Sequence, residues 1–507
     1  VTIFPDWLAH RAATSPARPA LEASGRAWTF AELDADASRT ARQLAALGVA
    51  GGDRVATLLH NGAAPALLVH AVMRIGATLV PLNTRLGERE IAWQLADAAP
   101  RLVVTDARSE ARVQDALGEH NATRTTTISG TGALDVGEAD VSLQTEHPGD
   151  RVLARIYTSG TTGRPKAAQL TVANFWWSAI GSALNLGSDP ADRWLACLPL
   201  FHVGGLSILL RSAIYGITAV VHDGFDATAV TRAIEHERIT VVSLVAVMLQ
   251  RLLDERGDRP FPASLRCILL GGGPAPRAML ERCARLGAPV VQTYGLTETT
   301  SQLATLAPED ALRKPGSAGR ALYPNEVRIL SDPDNAGVGE ILARGPVVMA
   351  GYAGDAAQTA HAMSDGWLRT GDVGRMDEDG FLYVLDRRDD LIVTGGENVY
   401  PAEVEAVLQE HPLVTEAAVI GVPDETWGQR VVAVVGVAPG TALASLDQTL
   451  RRFCRERLAN FKAPREVRLV TAPLPRTASG KLQRAVVRAD HLHASVLASP
   501  GSDSSPA

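Results

Sequence analysis

Cysteine is scarce in this chain. Four are spread through 507 residues, at Cys197, Cys267, Cys283 and Cys454, with no C-x-x-C pair and no histidine cluster beside them. That excludes a disulfide framework and a cysteine-built zinc site, and it suits a reducing compartment. Basic charge is not in excess: 49 Lys and Arg stand against 56 Asp and Glu, a formal net charge of −7. No nucleic-acid partner and no anionic membrane surface are expected, so any anionic ligand needs locally placed cations. Long apolar runs are missing too. The longest, such as "ITVVSLVAVML", falls short of a membrane span, and "VTIFPDWLAHRAATSPARPA" at the start shows no basic-then-apolar signal. The expectation is a cytoplasmic protein without membrane insertion. No G-x-G-x-x-G follows a strand pattern, which leaves a dinucleotide fold without support. "SDPDNAGVGE" opens like a calcium loop but has Ala336 at its fifth position and no acid at the required spacing.

What is present is an ordinary globular composition, 46% hydrophobic and 21% charged, in a chain long enough for two or three domains. Strand and helix patterns alternate: strands at 54–60, 78–83 and 101–106, helices at 63–77 and 87–99. Repeated βα units imply largely parallel sheets covered by helices. Residues 107–150 turn polar and read as loops. Alternation resumes in "RWLACLPLF", an apolar helix from Gly205, "ITAVVH", "ITVVSLV", "LRCILLGG" and "APVVQTYG". Shorter β elements follow 316, and a separate α/β unit begins near 390. The fold class is therefore α/β: a large N-terminal domain, 1–388, with a β-rich subdomain, a small C-terminal domain, 389–495, and a polar tail, 496–507, expected to be disordered.

The densest chemistry lies in "IYTSGTTGRPKAAQL". Hydroxyls at Thr158, Ser159, Thr161 and Thr162, glycines at Gly160 and Gly163, and the cation Lys166 suit a polyphosphate, because consecutive backbone N–H groups can form an anion nest. It is not the P-loop pattern, since Arg164 and Pro165 separate the last glycine from Lys166. Alone, a Gly/Ser/Thr cluster reads more readily as a surface turn. Downstream, in order, stand "LLGGGPAP", "QTYGLTET", "LRTGDVG", "DRRDDLIVTGGENVYPAEVE" and "PRTASGKLQR".

This ordered set resembles the adenylate-forming superfamily of acyl-CoA synthetases, luciferases and peptide-synthetase adenylation domains, over about residues 5–490. The resemblance implies an AMP-forming ligase that activates a carboxylate with ATP and passes the acyl group to coenzyme A. It implies that the loop from Thr158 to Lys166 holds the β- and γ-phosphates, that Glu298 helps bind Mg²⁺ and that Thr297 contacts phosphate. Gly271, Gly272 and Gly273, with Gln292, Thr293, Tyr294 and Gly295, would form the adenine site, Tyr294 giving a ring face. Asp372 would accept the ribose hydroxyls, with Arg387 beside the nucleotide. Lys481 corresponds to the catalytic lysine, bridging carboxylate and α-phosphate, and at the ordinary lysine pKa of about 10.4 it is charged at neutral pH. Gly395 and Gly396 would border the pantetheine channel. The small domain would be mobile, rotating between half-reactions about Asp389, although Asp386 stands where glycine usually precedes the arginine.

The acid is addressed by "LPLFHVGGLSILLRSAIYGITAVVH". His202 corresponds to a family residue near the acyl pocket, and a packed core histidine is the competing reading. Arg211 is the only charge between Val203 and Val221, on an apolar helix. A guanidinium there is costly unless it snorkels, meets a protein acid or meets a ligand anion. "LPLFHVGGLSILLRS", "LLGGGPAP" and "QTYGLTETTSQLATLAPEDALRKPGSAG" resemble the branch of ligases acting on o-succinylbenzoate in menaquinone biosynthesis. That acid is a dicarboxylate, so the resemblance gives Arg211 its free carboxylate, with Ser301 and Gln302 as polar contacts. The partners expected are this acid, ATP and CoA, with a homodimer left open. Another aryl- or fatty-acyl-CoA ligase, a peptide-synthetase adenylation domain and a non-catalytic nucleotide or acyl-adenylate sensor are the alternatives.

Overall fold

The computed structural model describes residues 2–118, 123–158, 165–272, 275, 277–311, 313–331, 337–387, 392–399, 401–438, 440, 443–475 and 484–497. At several of these (277, 278, 308, 373, 385–387, 402, 485 and 493–497) only the backbone is described. The chain divides into two compact units. One comprises Val1–Thr84, Ile91–Thr158 and Lys166–Asp386; the other is built on residues from Arg387 onward, with Arg85–Glu90.

The first unit is organised on two large sheets. Among the described residues one has seven strands in the spatial order Gly351–Tyr352, Lys166–Thr171, Val152–Thr158, Thr78–Pro81, Arg54–Leu58, Leu102–Thr105 and Arg124–Thr127. Its last four are mutually parallel, and Val152–Thr158 and Lys166–Thr171 form an antiparallel pair at the other side. The second sheet has nine strands among the described residues, with Val290–Tyr294, Cys267–Gly271, Val241–Val245, Arg193–Ala196 and Thr218–Val221 as its parallel centre. These central strands are apolar on both faces, as helices on either side require; Val241 to Leu244 are all buried. A smaller antiparallel sheet follows, from Glu326–Ser331 to Leu382–Arg387.

Two helices matter for the site. Val172–Leu186 starts at a reciprocal cap, in which Asn174 N–H donates to Thr171 Oγ1 at 3.2 Å and Thr171 N–H to Asn174 Oδ1 at 2.8 Å. Val203–Tyr215 ends at Gly216, whose φ of 74° is the left-handed conformation that terminates helices at glycine.

The second unit carries a five-stranded sheet, with Val414–Asp424 and Gly428–Val437 as its long antiparallel pair. Helix Pro401–Gln409 packs against it, and Val404, Leu408, Ala417, Val419 and Val431 share one buried cluster.

One sequence expectation is corrected. The polar stretch 107–150 is not all loop: it holds helix Glu110–Leu117 and strands Arg124–Thr127 and Glu146–Pro148. Arg124–Thr127 is an edge strand of exposed and half-buried residues, so alternation of apolar side chains could not reveal it. The tail 498–507 lies outside the described residues.

Candidate active site

Strands Val152–Thr158 and Lys166–Thr171 run antiparallel with Thr158 opposite Lys166, so these two mark the feet of the Ser/Thr/Gly loop. Ser159, Gly160, Thr161, Thr162 and Gly163 lie outside the described residues. One foot, Thr158, meets a carboxylate that Tyr352 also meets. Thr158 Oγ1 donates to Glu298 Oε1 at 3.3 Å, and the Tyr352 hydroxyl donates to the same oxygen at 2.9 Å. Lys166 Nζ lies 5.4 Å from the Tyr352 ring centroid, in cation–π range, and donates to Gln358 Oε1 at 2.9 Å. Tyr352 and Gln358 were not singled out from sequence. Tyr352 arrives through a two-residue strand that pairs with Ala168 and Gln169, a relationship between distant segments with no local signature.

Glu298 sits in a 3₁₀ turn, Thr297–Thr299, and the chain beyond it is strained. Thr300 and Ser301 have φ of 50° and 87°, left-handed values that cost a non-glycine residue free energy and concentrate at functional loops. Gly295 permits the tight return, because a Cβ there would stand 1.5 Å from Ser301 O. Thr300 is fully buried, and its Oγ1 donates to Val347 O at 2.8 Å, which holds the bend.

On the nucleotide side, the Tyr294 hydroxyl donates to Asp372 Oδ2 at 2.7 Å. Both residues are buried, Tyr294 at 7% exposure and Asp372 at 5%, so the two predicted nucleotide contacts are one bonded pair. Gln292 and Thr293 turn inward: Gln292 Nε2 donates to Ser317 O at 3.2 Å, and Thr293 Oγ1 meets Thr305 Oγ1 at 2.8 Å. Gly271 ends strand Cys267–Gly271, and Gly272 follows with φ of 80°. Gly273, Asp389 and Lys481 lie outside the described residues, as does the side chain of Arg387.

Arg211 is the residue expected on the acid side. It is 2% exposed on helix Val203–Tyr215, and no carboxylate pairs with it among the described residues. Its Nη2 donates to Ser178 Oγ at 3.1 Å, its Cζ lies 5.6 Å from the Trp194 ring centroid, and its Nε has no partner. Burial pushes its pKa below the ordinary arginine value. Among the described residues the guanidinium neither reaches solvent nor meets a protein acid. Ser178 in turn donates to Thr300 O at 2.6 Å, joining Arg211 to the strained loop. The next residues in that loop are the half-buried Ser301 and the buried Gln302, whose Oε1 and Nε2 both lack partners. Arg211 is thus joined through Ser178 to Thr300, the residue before Ser301 and Gln302, and Ser178 is the link that sequence did not reveal. His202 stands at the N-terminus of the arginine's helix, half-buried, with its ring 4.6 Å from that of Phe201.

In the second unit, Gly395 and Gly396 have φ of 58° and 83° and connect paired strands Ile392–Thr394 and Glu397–Val399. Two left-handed residues are what a tight two-residue hairpin needs, so the turn itself demands glycine there, independently of any channel. A Cβ on Gly395 would also approach Trp427 Cε3 to 2.8 Å.

Magnesium fits this donor set. Among the described residues no group of three or more His, Cys, Asp or Glu could cage a metal, and Glu298 presents one half-buried carboxylate beside Thr158. Mg²⁺ is commonly held by one or two carboxylates together with phosphate oxygens and water rather than by an all-protein cage.

Comparison with known proteins agrees with this layout. Residues 8–353 match the AMP-binding enzyme family, and residues 403–481 match the AMP-binding enzyme C-terminal domain. A 2-succinylbenzoate–CoA ligase from Geobacillus kaustophilus is 49% identical over 488 residues, 96% of this chain and 97% of that protein. The o-succinylbenzoate CoA synthetase from Bacillus subtilis is 42% identical, covering 96% of this chain and 99% of its own. Its double mutant bound to the product analogue OSB-NCoA superposes with a TM-score of 0.88. Its complexes with the acyl-adenylate intermediate OSB-AMP and with ATP and magnesium give 0.74 and 0.73.

Proposed function

The chain belongs to the family of AMP-binding enzymes, and from that premise we propose that it joins 2-succinylbenzoate to coenzyme A through an acyl-adenylate. The single observation that carries the choice of acid is Arg211, a buried guanidinium with an unpartnered Nε and no carboxylate among the described residues to meet it. A substrate with two carboxylates presents one for activation and leaves the other as the missing counter-ion. Ser301 and the unpaired amide of Gln302 supply further polar contacts beside it.

In the first half-reaction a substrate carboxylate oxygen attacks the α-phosphorus of ATP, the bond to the β-phosphate breaks, and pyrophosphate leaves. Thr158 and Lys166 would grip the departing phosphates, with Lys166 directed by Tyr352 and Gln358. Glu298 would hold the magnesium, held in turn by Thr158 and Tyr352. When bound, the metal neutralises charge on the phosphates. Asp372, oriented by Tyr294, would take the ribose hydroxyls. Lys481 would bridge the attacking carboxylate and the α-phosphate, placing fixed charge where charge develops. In the second half-reaction the CoA sulfur attacks the acyl carbon and AMP departs, with Asp389 as the pivot between the two steps. His202 would border the acyl pocket from the start of the arginine's helix. A cytoplasmic setting is supported by four free, buried cysteines. No helix among the described residues is long and apolar enough to cross a membrane.

The deciding experiment measures pyrophosphate release and CoA-thioester formation with 2-succinylbenzoate, benzoates, cinnamates, amino acids and fatty acids. Preference for the dicarboxylate in kcat/KM is expected. Equal or better use of a monocarboxylate would overturn the assignment of the acid, and absence of pyrophosphate release with every acid would overturn the reaction.

A further inference from the structure

One half-buried side chain ties the two large sheets of the first unit together. Asn61 follows strand Arg54–Leu58 of the seven-stranded sheet, and its amide reaches backbone beside the nine-stranded one. Nδ2 donates to Leu198 O at 2.9 Å and to His222 O at 3.1 Å, and Oδ1 accepts from Leu200 N–H at 2.9 Å. Leu198 and Leu200 lie just beyond strand Arg193–Ala196, and His222 just beyond Thr218–Val221. Both amide hydrogens and the oxygen are thereby engaged. The preceding residue anchors Asn61 to its own sheet. His60 N–H donates to Asp106 Oδ2 at 2.8 Å, and the His60 ring Nδ1 stands 2.9 Å from the same oxygen.

The passage held in this way leads into the acid side. Leu200 is followed by Phe201, His202 and helix Val203–Tyr215, which carries Arg211. His202 N–H donates to Pro199 O at 3.2 Å, so it is bonded to the residue between the two that Asn61 grips. The passage folds back closely on the helix, since a Cβ on Gly205 would stand 2.3 Å from Pro199 O. Packing alone does not fix it against the first sheet. Leu200, Phe201 and Leu206 border an apolar cavity whose lining also includes Thr57, Leu59 and Leu82, and a void supplies no contacts to hold a side chain.

We propose that Asn61 is a positioning residue for the acid: by holding Leu198 and Leu200 it sets where His202 and the start of the arginine's helix meet the acyl group. This rests on the reading of His202 as a wall of the acyl pocket. Thr158, Lys166, Glu298 and Asp372, proposed for ATP and its metal, lie on other segments. The KM values of the two substrates therefore separate a positioning amide from a merely structural one.

The test uses the full chain with Asn61→Ala, Asn61→Asp and His202→Ala, with melting temperature recorded for each. Asn61→Asp keeps the shape and the acceptor for Leu200 N–H but sets a carboxylate oxygen against the Leu198 and His222 carbonyls, so it tests the tie even if Asn61→Ala folds poorly. In both Asn61 variants KM for 2-succinylbenzoate in pyrophosphate release is expected to rise roughly tenfold, while KM for ATP holds. The preference for 2-succinylbenzoate over benzoate should narrow. Placed on His202→Ala, Asn61→Ala should add much less than its effect alone. An unchanged KM for the acid, an equal rise in both KM values, or full additivity on His202→Ala would each overturn the proposal. If His202→Ala raises KM for the acid while neither Asn61 variant does, the role of Asn61 alone fails. If His202→Ala leaves that KM unchanged, the reading of the histidine fails first and the role of Asn61 with it.

Discussion

The Tyr352 hydroxyl donates to Glu298 Oε1 at 2.9 Å while its ring faces Lys166 Nζ at 5.4 Å. One side chain therefore orients both the carboxylate assigned to the metal and the cation assigned to the phosphates. Tyr352→Phe keeps the ring and removes only the hydroxyl. We expect adenylation to fall about tenfold, the magnesium concentration for half-maximal rate to rise, and the melting temperature to hold within a few degrees. A magnesium titration of pyrophosphate release checks this; an unchanged magnesium requirement would show that the hydroxyl does not orient Glu298.

Arg211 makes opposite demands on stability and on substrate. A buried charge without a counter-ion is costly, and an apolar residue of similar length removes that cost. Arg211→Met is accordingly expected to leave the ligand-free protein as stable or more so, while KM for 2-succinylbenzoate rises by about 10²-fold, from loss of a charged hydrogen-bonded contact of about 3 kcal/mol. Melting curves and steady-state kinetics test both halves. A lower melting temperature with unchanged KM would make the arginine a structural element.

Acid should weaken the first unit through His70. It lies in helix Ala63–Ile75, 2% exposed, and burial pushes its pKa from 6.5 to about 4, against an upward pull from Asp6 and with a downward push from Arg74. The unfolded chain binds the proton more readily, so this contribution is complete above about pH 6.5 and is lost as pH falls toward about 4. The loss amounts to about 3 kcal/mol. Urea melts across that range should show the decline, and His70→Gln should flatten it. An identical slope in the variant would assign the acid sensitivity to other groups.

Gly295→Ala tests the bend beneath Ser301. With only 1.5 Å between the added Cβ and Ser301 O, the loop must move. The expected result is a destabilisation of several kcal/mol, and KM should rise for ATP and for the acid together. A rise for only one substrate would show that the bend does not hold both sites.

Part of the proposed nucleotide site was legible as a set of motifs, and the reason is local. Thr158, Lys166, Glu298 and Asp372 each sit in a short run rich in glycines and hydroxyls, so composition and order carry the resemblance, and the structure adds the bonds Thr158–Glu298 and Tyr294–Asp372. Arg211 was legible for a different reason, as a lone charge within an apolar helix. What escaped notice depends on strand pairing between distant segments. Tyr352 reaches Glu298 only because Gly351–Tyr352 pairs with Ala168 and Gln169, and Ser178 reaches Arg211 only because two helices pack. The edge strand Arg124–Thr127 escaped because it has no apolar face. Gly395 and Gly396 were noticed, but the hairpin gives them a conformational duty that the sequence reading had assigned wholly to a channel.

The short passage from Thr297 to Gln302 has a consequence for redesign. Glu298, proposed for the metal, and Ser301 and Gln302, proposed for the acid, flank or share one left-handed bend pinned by Ser178 and Val347. A library that varies this passage to admit new acids would select against ATP use at the same time, and most of its members would be silent for that reason. Variation on helix Val203–Tyr215, around Arg211, changes the acid's surroundings from an element that carries none of the phosphate contacts. Substrate range should therefore evolve from the helix, with the bend held fixed.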